Sequence, residues 1–380
     1  MSTSPLSVLF AGGGTGGHIF PNLATLEALQ ADGGVPPTAH FLLSDRTIDA
    51  SIAAELGLAF TALPARPFGL SPRTLYRFVT HWGGSVREAR RVIRDHKARG
   101  RVVIVATGGF VSAPCVQAAR AERVPVVMVN LDAVPGRANR WAAGHAAKVL
   151  TAATVAKGPG RNWTTIPPIV RAAARAPGDP AHCRTLLGLD ADLSVLLVTG
   201  ASLGARSINQ LMGKLAFDER PAFSGWQILH QTGGTDADAQ ACAETYKQAG
   251  IRAVVQPFVK NMGLWWGAAE LALGRCGAGI VAEAWANTVP AVFMPYPYHK
   301  DEHQRANAQP LAAVGAAEIV TDLIDPAANA KGVGATLVAL LTNPGRRDEM
   351  RKACASLGPA NGAERVAAAV REVAAGLVSP

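Results

Sequence analysis

The sequence predicts an α/β protein of two Rossmann-like domains, each a doubly wound parallel sheet, facing each other across a cleft. Three observations carry this. A glycine-rich loop occurs twice, each time directly after a short apolar run: residues 7–11 (SVLFA) lead into 12–18 (GGGTGGH), and 194–199 (SVLLVT) lead into 200–206 (GASLGAR). Strand, glycine loop and helix start together turn backbone N–H groups towards an anion. Apolar runs alternate with helical patterns along the whole chain, which implies parallel sheets joined by crossovers. The 380 residues are enough for two separate cores.

In the first half, strands are expected at 7–11 (SVLFA), 39–43 (AHFLL), 102–106 (VVIVA), 124–130 (VPVVMVN) and 147–151 (AKVLT). They bracket helical patterns near 21–31, 46–56, 72–98, 112–122 and 136–144. Residues 166–170 (IPPIV) form a stiff, non-helical break, because each proline holds its predecessor extended. The expected domains are therefore 1–166 and 167–361. Beyond the break the pattern restarts, with strands at 194–199, 226–230, 252–255, 270–273, 290–295 and 317–320. Helices are expected near 205–217, 236–249, 278–287 and 303–314. A last helix near 362–377 follows Pro359, and the segment 362–380 can pack back on the first domain or on the second.

With 49% hydrophobic and 17% charged residues the chain is globular rather than disordered. Its first residues have neither a basic nor an apolar signal region, so no signal peptide is expected. No apolar run reaches the ~18 residues of a membrane-spanning helix. The five cysteines lack any CxxC spacing, which fits a reduced, cytoplasmic protein without a zinc site. The net charge of +9 is concentrated: Arg66 to Arg101 holds ten Lys and Arg against Glu88 and Asp95. Leu70, Leu75, Tyr76, Phe78, Val79 and Trp82 lie among them. Such a stretch suits an anionic membrane surface, and a solvated helix face is the alternative. No nucleic-acid-binding module is visible, so nucleic acid is not an expected partner.

Gly12-x-Gly14-x-x-Gly17 matches the dinucleotide fingerprint, and Asp45 is the acid that an NAD-dependent oxidoreductase would place on the ribose. That reading rests on the first loop alone and leaves 200–206 unexplained. Two Asp-x-Asp pairs invite a metal-bound diphosphate. Asp190-Ala-Asp192 precedes its strand, at the edge away from a ligand, and Asp236-Ala-Asp238 reads as a polar helix start. Neither a metal nor another cofactor is expected.

Residues 12–21 (GGGTGGHIFP) resemble the first glycine loop of the peptidoglycan N-acetylglucosaminyltransferase family. The resemblance continues in order through 107–114 (TGGFVSAP), 133–139 (AVPGRAN), 200–209 (GASLGARSIN), 230–233 (HQTG) and 257–262 (PFVKNM). It extends through 275–283 (RCGAGIVAE), 290–295 (PAVFMP) and 303–308 (HQRANA), covering nearly the whole chain. It implies a GT-B fold and an inverting transfer of GlcNAc from UDP-GlcNAc to the C4 hydroxyl of undecaprenyl-diphosphate-linked N-acetylmuramoyl pentapeptide. That step, lipid I to lipid II in cell-wall synthesis, would take place on the cytoplasmic face of the inner membrane, with the protein attached peripherally.

The resemblance also implies site residues. In the second domain Glu283 would accept hydrogen bonds from both ribose hydroxyls, at the end of the substrate-binding run Ala278, Gly279, Ile280, Val281 and Ala282. Ser202 and its loop amides would hold the UDP diphosphate with Arg171, the Val259 backbone would read uracil, and Gln304 the sugar hydroxyls. For Arg171 and Gln304 an ordinary surface role stays open. In the first domain Gly13, Gly14, Gly108 and Gly109 would bind the polyprenyl diphosphate through backbone N–H groups, with Thr15, Gly16 and Gly17 as further substrate contacts. His18, with an ordinary imidazole pKa, is the candidate base for the acceptor hydroxyl, and a role that only hydrogen-bonds substrate or packs the loop stays open.

One segment departs from the family. Where His-Glu-Gln-Asn is typical, this chain has Val129-Asn130-Leu131-Asp132. Asp132 can contact the sugar hydroxyls or serve as the base itself. The change equally leaves open a changed acceptor, reduced activity, or a non-catalytic, membrane-docked sugar-nucleotide binder.

Overall fold

The computed structural model describes residues 4–14, 16–155, 162–200, 204–298 and 302–377. The chain forms two compact units, Met1–Arg171 with Asn361–Pro380, and Ala172–Ala360.

The first unit is built on β1 (Leu6–Gly12), β2 (Thr38–Ser44), β3 (Phe60–Leu63), β4 (Arg101–Gly108), β5 (Val126–Asn130), β6 (Lys148–Thr151) and β7 (Trp163–Thr165). Their spatial order is β3-β2-β1-β4-β5-β6-β7, and every neighbouring pair is parallel. The connections carry α1 (Gly16–Ala31), α2 (Thr47–Glu55), α3 (Pro72–Lys97), α4 (Gly109–Glu122) and α5 (Arg137–Ala143). The central strand β1 is buried along its whole length, which is why it reads as an apolar run interrupted only by Ser7, whose hydroxyl is hydrogen-bonded with His96 Nδ1. Leu9 and Ala11 pack into the core that Ile93, Ile104 and Val116 share, while Phe10 stacks on Phe41 at 5.0 Å. The α3 start is written locally: Ser71 caps the helix by accepting from the Thr74 amide, and Pro72 occupies the first turn.

The second unit repeats the plan with β8 (Ser194–Thr199), β9 (Trp226–Gln231), β10 (Ala253–Gln256), β11 (Leu271–Gly274), β12 (Ala291–Phe293) and β13 (Ala317–Ile319). Their order is β10-β9-β8-β11-β12-β13, again parallel throughout. The helices are α6 (Pro180–Leu186), α7 (Arg206–Asp218), α8 (Asp236–Gln248), α9 (Met262–Ala268), α10 (Ala278–Ala286), α11 (His303–Ala313), α12 (Pro326–Asn329), α13 (Ala335–Leu341) and α14 (Pro344–Ser356). Alternate residues of β8 enter two cores: Leu196 and Val198 join Leu211 and Leu337, while Val195 and Leu197 join Trp265 and Phe293. Both faces of the sheet are therefore covered, as a doubly wound sheet requires. Asp190 and Asp192 lie in the turn before β8, and Asp238 closes a capping box with Thr235 at the start of α8.

The last helix, α15 (Gly362–Ala375), belongs to the first unit and packs on α1 and β4. The break at Pro167-Pro168 lies inside the first unit rather than between units. Ile166 extends the ladder by donating to the Thr151 carbonyl, and Ile166, Ile169 and Val170 are buried. Gly362 donates to the Pro168 carbonyl at 3.0 Å, and a β-carbon there would sit 2.1 Å from the Pro167 oxygen. Helix α1 starts at Gly16 instead of 21, with Pro21 inside it.

Candidate active site

In an open α/β sheet, ligands bind beyond the carboxyl ends of the strands where the strand order reverses. Here the reversals fall between β1 and β4 and between β8 and β11. The glycine loops follow those four strands.

In the first unit the loops after β1 and β4 are locked together. A β-carbon on Gly12 would lie 2.2 Å from Thr107 Oγ1, so only glycine permits the approach. Thr107 Oγ1 donates to the His18 carbonyl at 2.9 Å, and His18 Nδ1 meets the Thr107 carbonyl at 3.1 Å. A carbonyl only accepts, so Nδ1 carries the hydrogen and the lone pair of the neutral ring sits on Nε2. Burial holds the His18 pKa below its usual 6.5, against the opposing pull of the Asp132 carboxylate and the Thr107 carbonyl. The expectation of an ordinary imidazole pKa is thereby corrected. The ring is neutral at pH 7, the form a base needs.

Asp132 follows β5. Asn130, fully buried, fixes this turn: its Nδ2 donates to the Asp132 carbonyl at 2.7 Å and to Thr151 Oγ1 at 3.0 Å, and its Oδ1 accepts from Asn139 Nδ2 at 3.1 Å. A neutral amide, giving and accepting, suits this dry position.

The glycine amides are less available than the sequence implies. Gly14 N donates to Asp49 Oδ2 at 2.7 Å, and the same oxygen accepts from the amide and hydroxyl of Ser44. Gly108 N donates to Ser112 Oγ at 3.0 Å. Gly13 lies against Asp49, Gly109 beside the His18 ring, and Gly16 and Gly17 open α1. Thr15 and Ser202 lie outside the described residues. Asp45, the acid of the dinucleotide reading, is held bidentately by Arg66 at 2.6 and 2.8 Å. Arg171 is engaged within the first unit, with Nε 3.3 Å from Glu27 Oε1 and its guanidinium over the Phe20 ring.

In the second unit Glu283 sits half-buried in the second turn of α10, after the loop that ends β11. Trp266 Nε1, from α9, donates to Glu283 Oε2 at 2.7 Å and fixes that carboxylate. Of the run before it, Ile280, Val281 and Ala282 are buried, whereas Gly279 is exposed and Ala278 half-buried. The loop floor is an ionic network. Arg275 pairs with buried Asp322 at 2.7 Å and donates to Ser207 Oγ at 2.9 Å, and Ser207 Oγ in turn donates to Asp322 Oδ2 at 2.6 Å. Gln304 accepts from the Tyr296 amide through Oε1 at 2.9 Å. Val259 is buried, but Phe258 beside it is exposed and lines a pocket of about 390 Å³ with Leu187, Gln256 and Leu264. Among the described residues no three His, Cys, Asp or Glu side chains converge where a metal ion could be held.

Sequence reasoning missed Asp49, Ser112, Trp266, Phe258 and Arg275 as parts of these loops. Ser112, Phe258 and Arg275 lay inside motifs that could have flagged them, whereas Asp49 and Trp266 did not.

The description "Glycosyltransferase family 28 N-terminal domain" matches residues 8–151, and "Glycosyltransferase family 28 C-terminal domain" matches residues 195–366. A UDP-N-acetylglucosamine--N-acetylmuramyl-(pentapeptide) pyrophosphoryl-undecaprenol N-acetylglucosamine transferase from Clavibacter michiganensis is 37% identical, over 97% of this chain and 96% of its own. One of the same name from Pseudomonas fluorescens is 32% identical, over 97% and 99%. The crystal structure of Acinetobacter baumannii MurG shares the fold, with a TM-score of 0.70 at 24% identity over 97% of this chain and all of that one. Matched in both halves by the family descriptions and aligned almost end to end with these transferases, the chain belongs to glycosyltransferase family 28.

Proposed function

We propose that this protein moves GlcNAc from UDP-GlcNAc to the C4 hydroxyl of undecaprenyl-diphosphate-linked N-acetylmuramoyl pentapeptide, the lipid I to lipid II step of peptidoglycan synthesis. The observation that carries the reading is the nearly full-length match to transferases of that name. In the reaction the acceptor O4 attacks C1 of GlcNAc from the face opposite UDP. The C1–O bond to UDP breaks, and its electron pair leaves on the diphosphate. The O4 proton passes to His18 Nε2, with Asp132 stabilising the imidazolium that forms. Inversion at C1 follows from this single displacement.

The second unit is the proposed donor site. Glu283 takes the ribose hydroxyls, exposed Phe258 and the Val259 backbone take the uracil, and Gln304 takes the sugar. The first unit is the proposed acceptor site. No metal, other cofactor or nucleic acid enters the reading.

No helix among the described residues is long and apolar enough to cross a membrane. Docking is therefore assigned to the surface around α3, at the cytoplasmic face of the inner membrane. Phe68, Leu70, Leu75, Tyr76 and Val79 are exposed there, next to Arg73 and Arg77. Phe68, Phe78, Trp82 and Trp141 form a continuous aromatic row behind them, with ring centroids 5.2–6.5 Å apart. Amphipathic rings beside cations suit a headgroup region. The deciding experiment is turnover of UDP-GlcNAc with a lipid acceptor. Donor binding without turnover would leave a sugar-nucleotide binder instead.

A further inference from the structure

We propose that Arg46 supplies the cation of the acceptor-diphosphate site, an inference that rests on the transferase reading above. Arg46 lies between β2 and α2, on the carboxyl edge of the first sheet. Its guanidinium is pinned between the two glycine loops. Nη1 donates to the Gly14 carbonyl at 3.3 Å, and the guanidinium carbon sits 4.8 Å from the centre of the Phe110 ring, in the first turn of α4. The residue is exposed, so the rest of its donor fork can reach a ligand at the lip of these loops.

The charge balance of the loops asks for such a group. The amides of Gly14 and Gly108 already donate to Asp49 and Ser112, which removes two of the backbone donors that would otherwise meet a diphosphate. Asp49 places a buried carboxylate directly beneath the first loop. A diphosphate brought to that spot meets a like charge at short range, and a neighbouring cation offsets it. Arg66, on the same edge, is neutralised by Asp45, whereas Arg46 has no acidic partner among the described residues. A planar guanidinium matches two phosphate oxygens at once, which an ammonium does not.

The test is steady-state kinetics of the full-length protein with a soluble short-chain polyprenyl-diphosphate acceptor. Arg46→Ala should raise the acceptor KM roughly tenfold or more, the loss expected for a charge-assisted hydrogen bond, and leave the UDP-GlcNAc KM within about twofold. Arg46→Lys should recover part of the loss, because it restores the charge without the fork. Added salt should raise the acceptor KM of the unaltered protein more than that of Arg46→Ala. An unchanged acceptor KM in Arg46→Ala overturns the inference, as does an equal rise in both KM values. Loss of binding to anionic vesicles with an unchanged acceptor KM would move the cation to membrane phosphate and also overturn it. If the unaltered protein does not turn over the acceptor at all, the transferase reading itself fails.

Discussion

A sugar hydroxyl is activated by a base that is unprotonated when substrate arrives, and the surroundings of His18 hold it in that state. Its pKa lies below 6.5 because burial disfavours the imidazolium, so the base form predominates at pH 7 and is lost as pH falls through the lowered value. The acid limb of kcat/KM, which reports the free protein, should therefore lie below pH 6.5. Asp132 pulls the other way, so Asp132→Asn should move that limb further towards acid, as a pH–rate profile would read. His18→Ala should lower turnover by roughly 10²–10⁴ with little change in donor affinity. Near-normal turnover in His18→Ala, with none in Asp132→Asn, would assign the base to Asp132. For the donor, Glu283→Ala should weaken UDP-GlcNAc binding by roughly tens- to hundreds-fold, the worth of two charge-assisted hydrogen bonds. An unchanged Kd by calorimetry would remove the ribose role. The placement of His18 beside the glycine loops and of Glu283 on the helix after β11 was legible because each follows a glycine-bearing motif. Asp49 and Trp266 were not. Asp49 reaches Gly14 across 35 residues and Trp266 reaches Glu283 across 17, and such pairings are set by how strands and helices stack rather than by local pattern.

Helix α3 shows how an element can mislead through its composition. Ten cations between Arg66 and Arg101 suggest a uniformly basic face, but packing pairs many of them. Arg90 and Arg94 both reach Glu122 on α4, at 2.7 and 2.9 Å, and Arg91 sits between Glu88 and Asp95. Arg73, Arg77 and Arg87 have no ion pair among the described residues, and the first two lie beside Leu75, Tyr76 and Val79. On the proposed membrane reading, the docking charge therefore falls to Arg73 and Arg77 in the N-terminal turns rather than to the paired Arg90, Arg91 and Arg94. Each cation near an anionic surface contributes about 1 kcal/mol, screened by salt. Arg73→Glu/Arg77→Glu should lose binding to anionic vesicles at low salt and keep activity on a soluble acceptor. Arg91→Gln should bind vesicles nearly as before, since Glu88 and Asp95 already compensate that charge. The reverse order in co-sedimentation would refute the N-terminal assignment. The sequence reading missed the 13-residue α14, which buries only Arg347, Met350 and Cys354 and so shows little apolar stripe, and it missed several shorter elements for a different reason. β3 and β7 are edge strands of four and three residues, and α6 and α9 span only seven each, too short for either period to register.

At the scale of the whole molecule the chain is asymmetric: the second unit is one continuous stretch, whereas the first is completed by its final residues. Helix α15 buries Val366, Ala367, Ala369 and Val370. Arg371 binds it to Asp32 and to the Leu29 and Val35 carbonyls at the end of α1, Lys148 pairs with Glu372, and Arg101 donates to the Ala374 carbonyl. The sequence left this helix unassigned because its apolar stripe fits any complementary groove. The ion pairs with residues more than 200 positions away select its partner. Each fully buried valine is worth about 1.5–3 kcal/mol, so losing α15 removes a large share of what keeps a domain folded. A chain ending at Ala360 should therefore show a markedly lower unfolding temperature for the first unit alone. Two units need not unfold as one, and UDP should stabilise only the second, by mass action on its folded form. Scanning calorimetry with and without UDP separates the cases. Two transitions are expected, the lower one displaced by truncation and the upper one raised by UDP to the same extent in both chains. If truncation instead lowers the UDP-sensitive transition, or abolishes UDP binding, α15 supports the donor unit and its placement on the first unit is wrong.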